Sequence, residues 1–332
     1  MFNGCGLVEM EGDHLDLSYS DPQGWPTLTP KGSLKVHTFE IGDAEAGPCL
    51  QLVIVKRIAE EPLDWKHSID PVHHHASDQF RIVPGGEWVV AGKTMPTGGF
   101  VFQESGWIYQ EHPGQVDLAW LCLLMADRRG KEATLRFAKD QATIIDAGEL
   151  YGIPTGEGKA YPHPAGRSGI AAVATTDGAC QRGYLFGAPG ELDAQPLSVV
   201  SGLLGDAEAG PLVHVLQGAP DQTVIPACHS ATEMMLVVAE GDCRIGDKVY
   251  HAGDVRIQRS DAPLPDVIAG PNGVRTAFII ADRRAQPIPV SGAAAPDWMF
   301  VGDQLLTGLD PVPGGSGGAK KRSDTPAARH LQ

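Results

Sequence analysis

The chain contains the same module twice. The phrase Gly42-Asp43-Ala44-Glu45-Ala46-Gly47-Pro48 recurs at Gly205–Pro211, and each copy runs on into an apolar segment of strand length. A second echo, Ala126-Asp127-Arg128-Arg129 against Ala281-Asp282-Arg283-Arg284, closes each copy. Between Gly86 and Asp127 the copies align without a gap, since 241 − 86 and 282 − 127 both give 155. A duplication on this scale predicts two similar folding units, and each copy serves as a control for the chemistry of the other.

At 332 residues the chain is long enough for two domains that bury full cores without disulfides or metal staples. With 41 glycines and 26 prolines it suits short strands joined by tight turns better than long helices, so the expected class is all-β. The formal charge of −15 argues against nucleic acid, whose phosphates draw their affinity from clustered Lys and Arg. No apolar run approaches the roughly 18 residues that span a bilayer, and the N-terminus lacks a basic region followed by a long apolar one. A soluble cytoplasmic protein without a membrane partner is expected. Cys5, Cys49, Cys122, Cys180, Cys228 and Cys243 show no C-x-x-C spacing and read as free thiols, most of them in apolar strands.

Four segments follow. Residues 1–35 form an N-terminal arm rich in turn formers, 36–150 the first copy, 151–300 the second, and 301–332 a tail with almost nothing to bury, read as disordered. In the first copy strand-like runs fall at 34–41, 49–55, 79–83, 87–91, 99–103 and 118–125. In the second they fall at 170–175, 197–203, 212–217, 234–238, 243–245, 254–258 and 274–281. Residues 131–145 fit a helix or a strand equally, and 151–169 reads as the connecting loop.

The offset exposes a contrast. His73, His75 and Gln79 fall opposite Cys228, Ser230 and Met234. Alternate side chains of a strand share a face, so His73 and His75 point together and His74 points away. The same parity puts Arg81 with Gln79, and Glu111 with Tyr109, while His112 faces away. The inward set of the first copy is then His73, His75, Gln79, Arg81, Tyr109 and Glu111. Its counterparts are Cys228, Ser230, Met234, Leu236, Leu264 and Asp266, a mostly apolar lining. A one-residue insertion before Gly241 is the alternative register, and would bring His229 to the position of His75 and Glu233 to that of Gln79. The ungapped register agrees better with the apolar alternation.

The segment His73-x-His75-x3-Gln79-x6-Gly86 resembles the first motif of the cupin superfamily, H-x-H-x3,4-E-x6-G. Gly98-x5-Glu104-x-Gly106-x2-Tyr109 resembles in part the second, G-x5-P-x-G-x2-H. The resemblance covers roughly residues 40–130 and 200–285 and implies a bicupin, two double-stranded β-helix barrels in tandem. Gln79 stands in place of the family's acidic ligand, Tyr109 in place of its last histidine, Glu104 in place of its proline, and His67 in place of a glycine.

The resemblance implies a divalent metal ion (Fe, Ni, Mn or Zn) on His73 and His75, with the Gln79 carbonyl oxygen or Glu111 completing the set. Arg81 would anchor a small anionic organic molecule through its guanidinium, and Tyr109 would donate a hydrogen bond or a proton. Bland readings stand beside these: exposed turn histidines, a backbone-bonded Gln79, an Arg81 salt bridge to Asp78 or Glu87, a core Tyr109 and a solvated Glu111. Three functions compete: a metal-dependent oxidoreductase of dioxygenase type, a metal-dependent isomerase or lyase, and a non-catalytic binding or structural bicupin. A homodimer or an intrachain pseudo-dimer fits the exposed sheet edges.

Overall fold

The computed structural model describes residues 6–28, 33–57, 73–105, 109, 111–131, 134–135, 172–175, 180–181, 184–187, 197–206, 209–290 and 296–300. Among them the regular elements are antiparallel strands and two short 3-10 turns, Arg128–Gly130 and Asp297–Phe300. The first large sheet runs in the order Leu34–Glu40, Cys49–Lys56, Leu118–Met125, Gln79–Gly85, Phe100–Gln103 and Tyr184–Gly187. The main path of the second runs His14–Ser18, Asp254–Gln258, Met234–Ile245, Val267–Ile280, Leu212–Gly218, Ser198–Leu203, Ala172–Thr175 and Cys180–Gln181. Small sheets close each unit, such as Glu87–Val90 between Lys93–Pro96 and Glu111–Pro113. The tail, His67, Cys5 and most of 131–171 lie outside the described residues. Within 131–145 the described pair Thr134–Leu135 is a strand against His73–His74.

Strand register confirms the ungapped alignment. Gln79 lies between Met125 and Gln103, and Met234 between Ile280 and Gln258. The isolated bridges His73–Tyr109 and Cys228–Leu264 repeat the same offset. The sheets do not respect the sequence halves, however. The arm strand His14–Ser18 pairs with Asp254–Gln258 of the second copy, and Tyr184–Gly187 pairs with Phe100–Gln103 of the first. Those two receiving strands are equivalents at the offset of 155, so each copy covers the other's sheet edge, where unpaired backbone groups would otherwise face water.

The period of two divides the apolar residues among three cores. Leu50, Leu52 and Ile54 of one strand, with Phe80 and Ile82 of another, face a central layer that they share with Val213, Val215, Met235, Val237 and Ile279 of the second sheet. The alternate residues Val53, Val55, Leu121 and Leu123 point into the first barrel, and Leu212, Leu216, Leu236 and Phe278 into the second. A sheet buried on both faces has apolar residues at nearly every position, and that is how Leu118–Met125 and Met234–Val238 read. The described thiols fit this packing: Cys49, Cys122, Cys228 and Cys243 are buried, and burial pushes the thiols of Cys122, Cys228 and Cys243 up to about 12.

The repeated Gly-Asp-Ala-Glu-Ala-Gly-Pro loops sit at the seam. Arg128 donates to the carbonyls of Ile41 and Gly47 at 2.7 and 3.0 Å, and Arg283 donates to those of Leu204 and Gly210. Each loop is thus held by the arginine that closes its own copy. Each is also held by the other copy. The Gly205 N–H donates to Asp78 Oδ2 at 2.7 Å, and the Gly42 N–H donates to Glu233 Oε2 at 3.0 Å. Asp78 and Glu233 are themselves equivalents, so the contact has the two-fold reciprocity of a symmetric dimer inside one chain.

The two carboxylates differ in burial. Asp78 is fully buried and also accepts from the Ser105 N–H at 2.8 Å, while Glu233 is half-buried. Asp78→Ala is expected to cost about 2–4 kcal/mol, since it strands two buried N–H groups, and Glu233→Ala only about 1 kcal/mol. Urea unfolding of the two variants checks the order, and equal costs would contradict it.

Candidate functional site

Within the first barrel the six inward residues expected from strand parity do come together. His73, His75, Gln79, Arg81, Tyr109 and Glu111 are all at most 4 % exposed, so the reading of His73 and His75 as exposed turn histidines fails. The rings of His73 and His75 meet edge to face with centroids 5.0 Å apart, and Tyr109 lies 4.4 Å from His73. The bridge between His73 and Tyr109 sets this spacing.

Arg81 organises the rest. Its Nε donates to Glu111 Oε2 at 2.6 Å, its Nη1 to Gln103 Oε1 at 2.9 Å, and its Nη2 to Gln79 Oε1 at 2.5 Å and Glu111 Oε1 at 3.3 Å. Its Cζ stands 4.7 Å from the centre of the Tyr109 ring. The ion-pair partner is Glu111, not Asp78 or Glu87, because Glu111 is the carboxylate that parity turns inward. Trp88 Nε1 adds a further hydrogen bond to Glu111 Oε2 at 3.2 Å. A buried guanidinium demands this many acceptors, since burial without them costs several kcal/mol.

This network decides what the glutamines do. Arginine has donors only, so the oxygens of Gln79 and Gln103 must face it and their NH2 groups must turn away. Gln79 Oε1 also accepts from the Tyr109 hydroxyl at 2.9 Å. The Nε2 atoms of both glutamines are buried and make no hydrogen bond. Two amide NH2 groups are therefore held in the barrel without acceptors, and buried donors of this kind call for a partner.

His75 has a defined tautomer. Its Nδ1 lies 2.8 Å from the Lys131 carbonyl oxygen, an acceptor, so Nδ1 carries the hydrogen and Nε2 the lone pair. Burial first, then the proximity of His73 and Arg81, holds its pKa well below the usual 6.5. His75 is neutral at physiological pH, with its lone pair on Nε2.

A metal fits this set only in part. His75 bonded through Nδ1 to a carbonyl is the usual posture of a ligating histidine. Yet both lone pairs of Gln79 Oε1 are taken by Arg81 and Tyr109, and Glu111 is bound to Arg81. The described residues contain no group of three or more His, Cys, Asp or Glu able to hold an ion. As arranged, Gln79 and Glu111, the two candidates for completing a set with His73 and His75, are both engaged by Arg81, and the guanidinium holds the place of a cation beside them.

In the second barrel Cys228, Met234, Leu236 and Leu264 are buried in the apolar core as expected. Ser230 donates to the Ala285 carbonyl. Asp266 departs from the expectation: it is exposed, lies between the isolated bridge at Leu264 and the strand Val267–Ile280, and accepts from the Ala227 N–H at 2.6 Å. Sequence reasoning missed Gln103 and Trp88. Gln103 has the same residue at its counterpart, Gln258, and a search for differences between the copies passes over what they share.

Two outcomes follow from the Arg81 network. Arg81→Leu is expected to destabilise the protein by about 3–5 kcal/mol by leaving Glu111 buried and unpaired, whereas Arg81→Leu with Glu111→Leu recovers most of the loss; denaturant titration of both variants decides. Because the imidazole pKa of His75 falls on folding, the unfolded chain binds a proton that the folded chain refuses, and stability drops as the pH goes below about 6.5. The His75 ring resonance should stay flat in an NMR titration from pH 7.5 to pH 5.5, and an ordinary sigmoid there would contradict the assignment.

No protein-family model matches the sequence, and no curated protein matches it. Among solved structures it is similar to the protein Ylba from E. coli, at 13 % identity over 83 % of this chain and 93 % of that one, with a TM-score of 0.46. It is also similar to a variant of oxalate decarboxylase from B. subtilis, at 12 % identity over 86 % and 82 %, TM-score 0.40. A third is a salicylate 1,2-dioxygenase from Pseudaminobacter salicylatoxidans, at 15 % identity over 72 % and 73 %, TM-score 0.36. In its own strand order, matched registers and duplicated barrel interiors the chain is an all-β protein of two similar barrels, the architecture that the resemblance to the bicupins implies.

Proposed function

We propose that the first barrel binds a small anionic organic molecule and carries out proton-transfer chemistry on it, of the isomerase or lyase class. The observation that supports this is the pair of buried NH2 groups of Gln79 and Gln103, which lack acceptors in the same barrel as the neutral base His75. A carboxylate oxygen satisfies the amide donors. Arg81 and Glu111 neutralise one another, so an incoming anion meets donors and no net negative charge. His75 Nε2 takes a proton from the bound molecule and gives it back at a neighbouring atom or to the departing group, while Tyr109 is held in place through its hydroxyl by Gln79. Arg81 acts as a positioning residue that orients both glutamines, a role different from the direct substrate anchor that its charge alone implies.

A second reading keeps a divalent metal on His73 and His75, with substrate completing the shell and a dioxygenase-type oxidation as the reaction. The Nδ1 bond of His75 to Lys131 favours it. Elemental analysis of protein never exposed to a nickel column separates the two. The proton-transfer reading expects substoichiometric metal, saturable binding of small carboxylates, and loss of that binding by about tenfold or more in Gln103→Leu. Stoichiometric metal that disappears in both His73→Ala and His75→Ala overturns it in favour of the metal reading. No carboxylate binding and no metal would leave the barrel a structural unit.

A further inference from the structure

The second barrel is not wholly apolar. His214, on the strand Leu212–Gly218, is fully buried and points into the barrel with Leu212 and Leu216, because Val213 and Val215 take the shared central layer. Its register partners make one transverse row: Ser201, His214, Phe278, Leu236 and Arg256. Leu236 is the counterpart of Arg81. The polar centre of this barrel thus lies on the same row as that of the first, displaced two strands along.

Ser201 Oγ and His214 Nδ1 are 2.7 Å apart. Phe278 flanks the imidazole at 6.4 Å, and Trp298 meets it edge to face at 5.0 Å. His214 Nε2 and Trp298 Nε1 are both buried and neither has a hydrogen-bond partner. Two polar nitrogens on touching rings, set among Val199, Leu203, Leu212 and Leu216, call for a shared partner. Arg256, at the far end of the row, is already bonded to Gln258 and Tyr250.

We infer that the C-terminal barrel is a second binding site, for an uncharged and mostly hydrocarbon molecule whose single oxygen sits between His214 Nε2 and Trp298 Nε1. A hydroxyl or carbonyl oxygen accepts from the indole N–H, which is a donor only. A hydroxyl also serves His214 in either tautomer. Burial holds His214 down to about 3, so it offers no positive charge, and Arg256, the one cation of the row, already has its guanidinium bonded to Gln258 and Tyr250, so the apolar surroundings favour an uncharged molecule. The two barrels therefore sort ligands by charge.

Calorimetric titration with p-cresol, toluene and p-toluate tests this on the full chain. Saturable binding of p-cresol is expected, with toluene about three- to tenfold weaker and p-toluate absent from this site. His214→Phe keeps the apolar volume and should bring p-cresol down to the affinity of toluene. If His214→Phe does not fold, Trp298→Phe removes the other polar atom and should give the same loss of preference. No saturable p-cresol binding, equal affinity for toluene and p-cresol in the wild-type protein, or an undiminished preference for p-cresol in the folded variant each overturns the assignment.

Discussion

The central layer between the two large sheets governs the rest of the structure. Each sheet has to present one apolar face to its own barrel and another to the seam, as Leu50 and Val53, or Met235 and Leu236, do on single strands. Burial on this scale is the main favourable term in folding, and it leaves a polar side chain only two options inside a barrel. It must find internal partners, or it must be matched by a ligand. In the first barrel Arg81 is satisfied internally and the glutamine amides are left over.

Much of this was legible in the chain. The duplicated phrase gave the copy number, and period-two alternation placed most of the expected strands, such as Cys49–Lys56 and Leu118–Met125, to within a residue or two, but it missed Tyr184–Gly187 and Lys248–His251 and the full length of Met234–Ile245 and Val267–Ile280. Parity alone collected His73, His75, Gln79, Arg81, Tyr109 and Glu111 onto one interior. The partner of Arg81 was not legible, because parity gives a face and not a pairing across the barrel; Glu111 wins through a register that only folding sets. The role of Gln79 changed for the same reason. Read alone it is a ligand oxygen, but beside an arginine with no acceptor atom it becomes a turned amide.

Comparison between copies has a blind spot as well as a strength. It isolates residues that one copy has lost, and it is silent on residues that both keep or that occupy a shifted position. Gln103 and Gln258 belong to the first kind. His214 belongs to the second, since its counterpart along the strands is Gln51, which lies outside the motif and also has a buried, unbonded amide nitrogen. The interior of each barrel is polar at the same depth, with a different side chain.

The crossed edge strands have a consequence of another kind. With His14–Ser18 completing one sheet and Tyr184–Gly187 the other, a backbone break between the copies would yield two pieces that each hold a missing part of the other. Such pieces are complementary by construction, as in a split reporter, and their reassembly would restore both interiors at once. The topology makes the halves inseparable as folded objects while leaving the residues deep in each barrel at liberty to diverge, so one chain can keep two dissimilar chambers under a single act of folding.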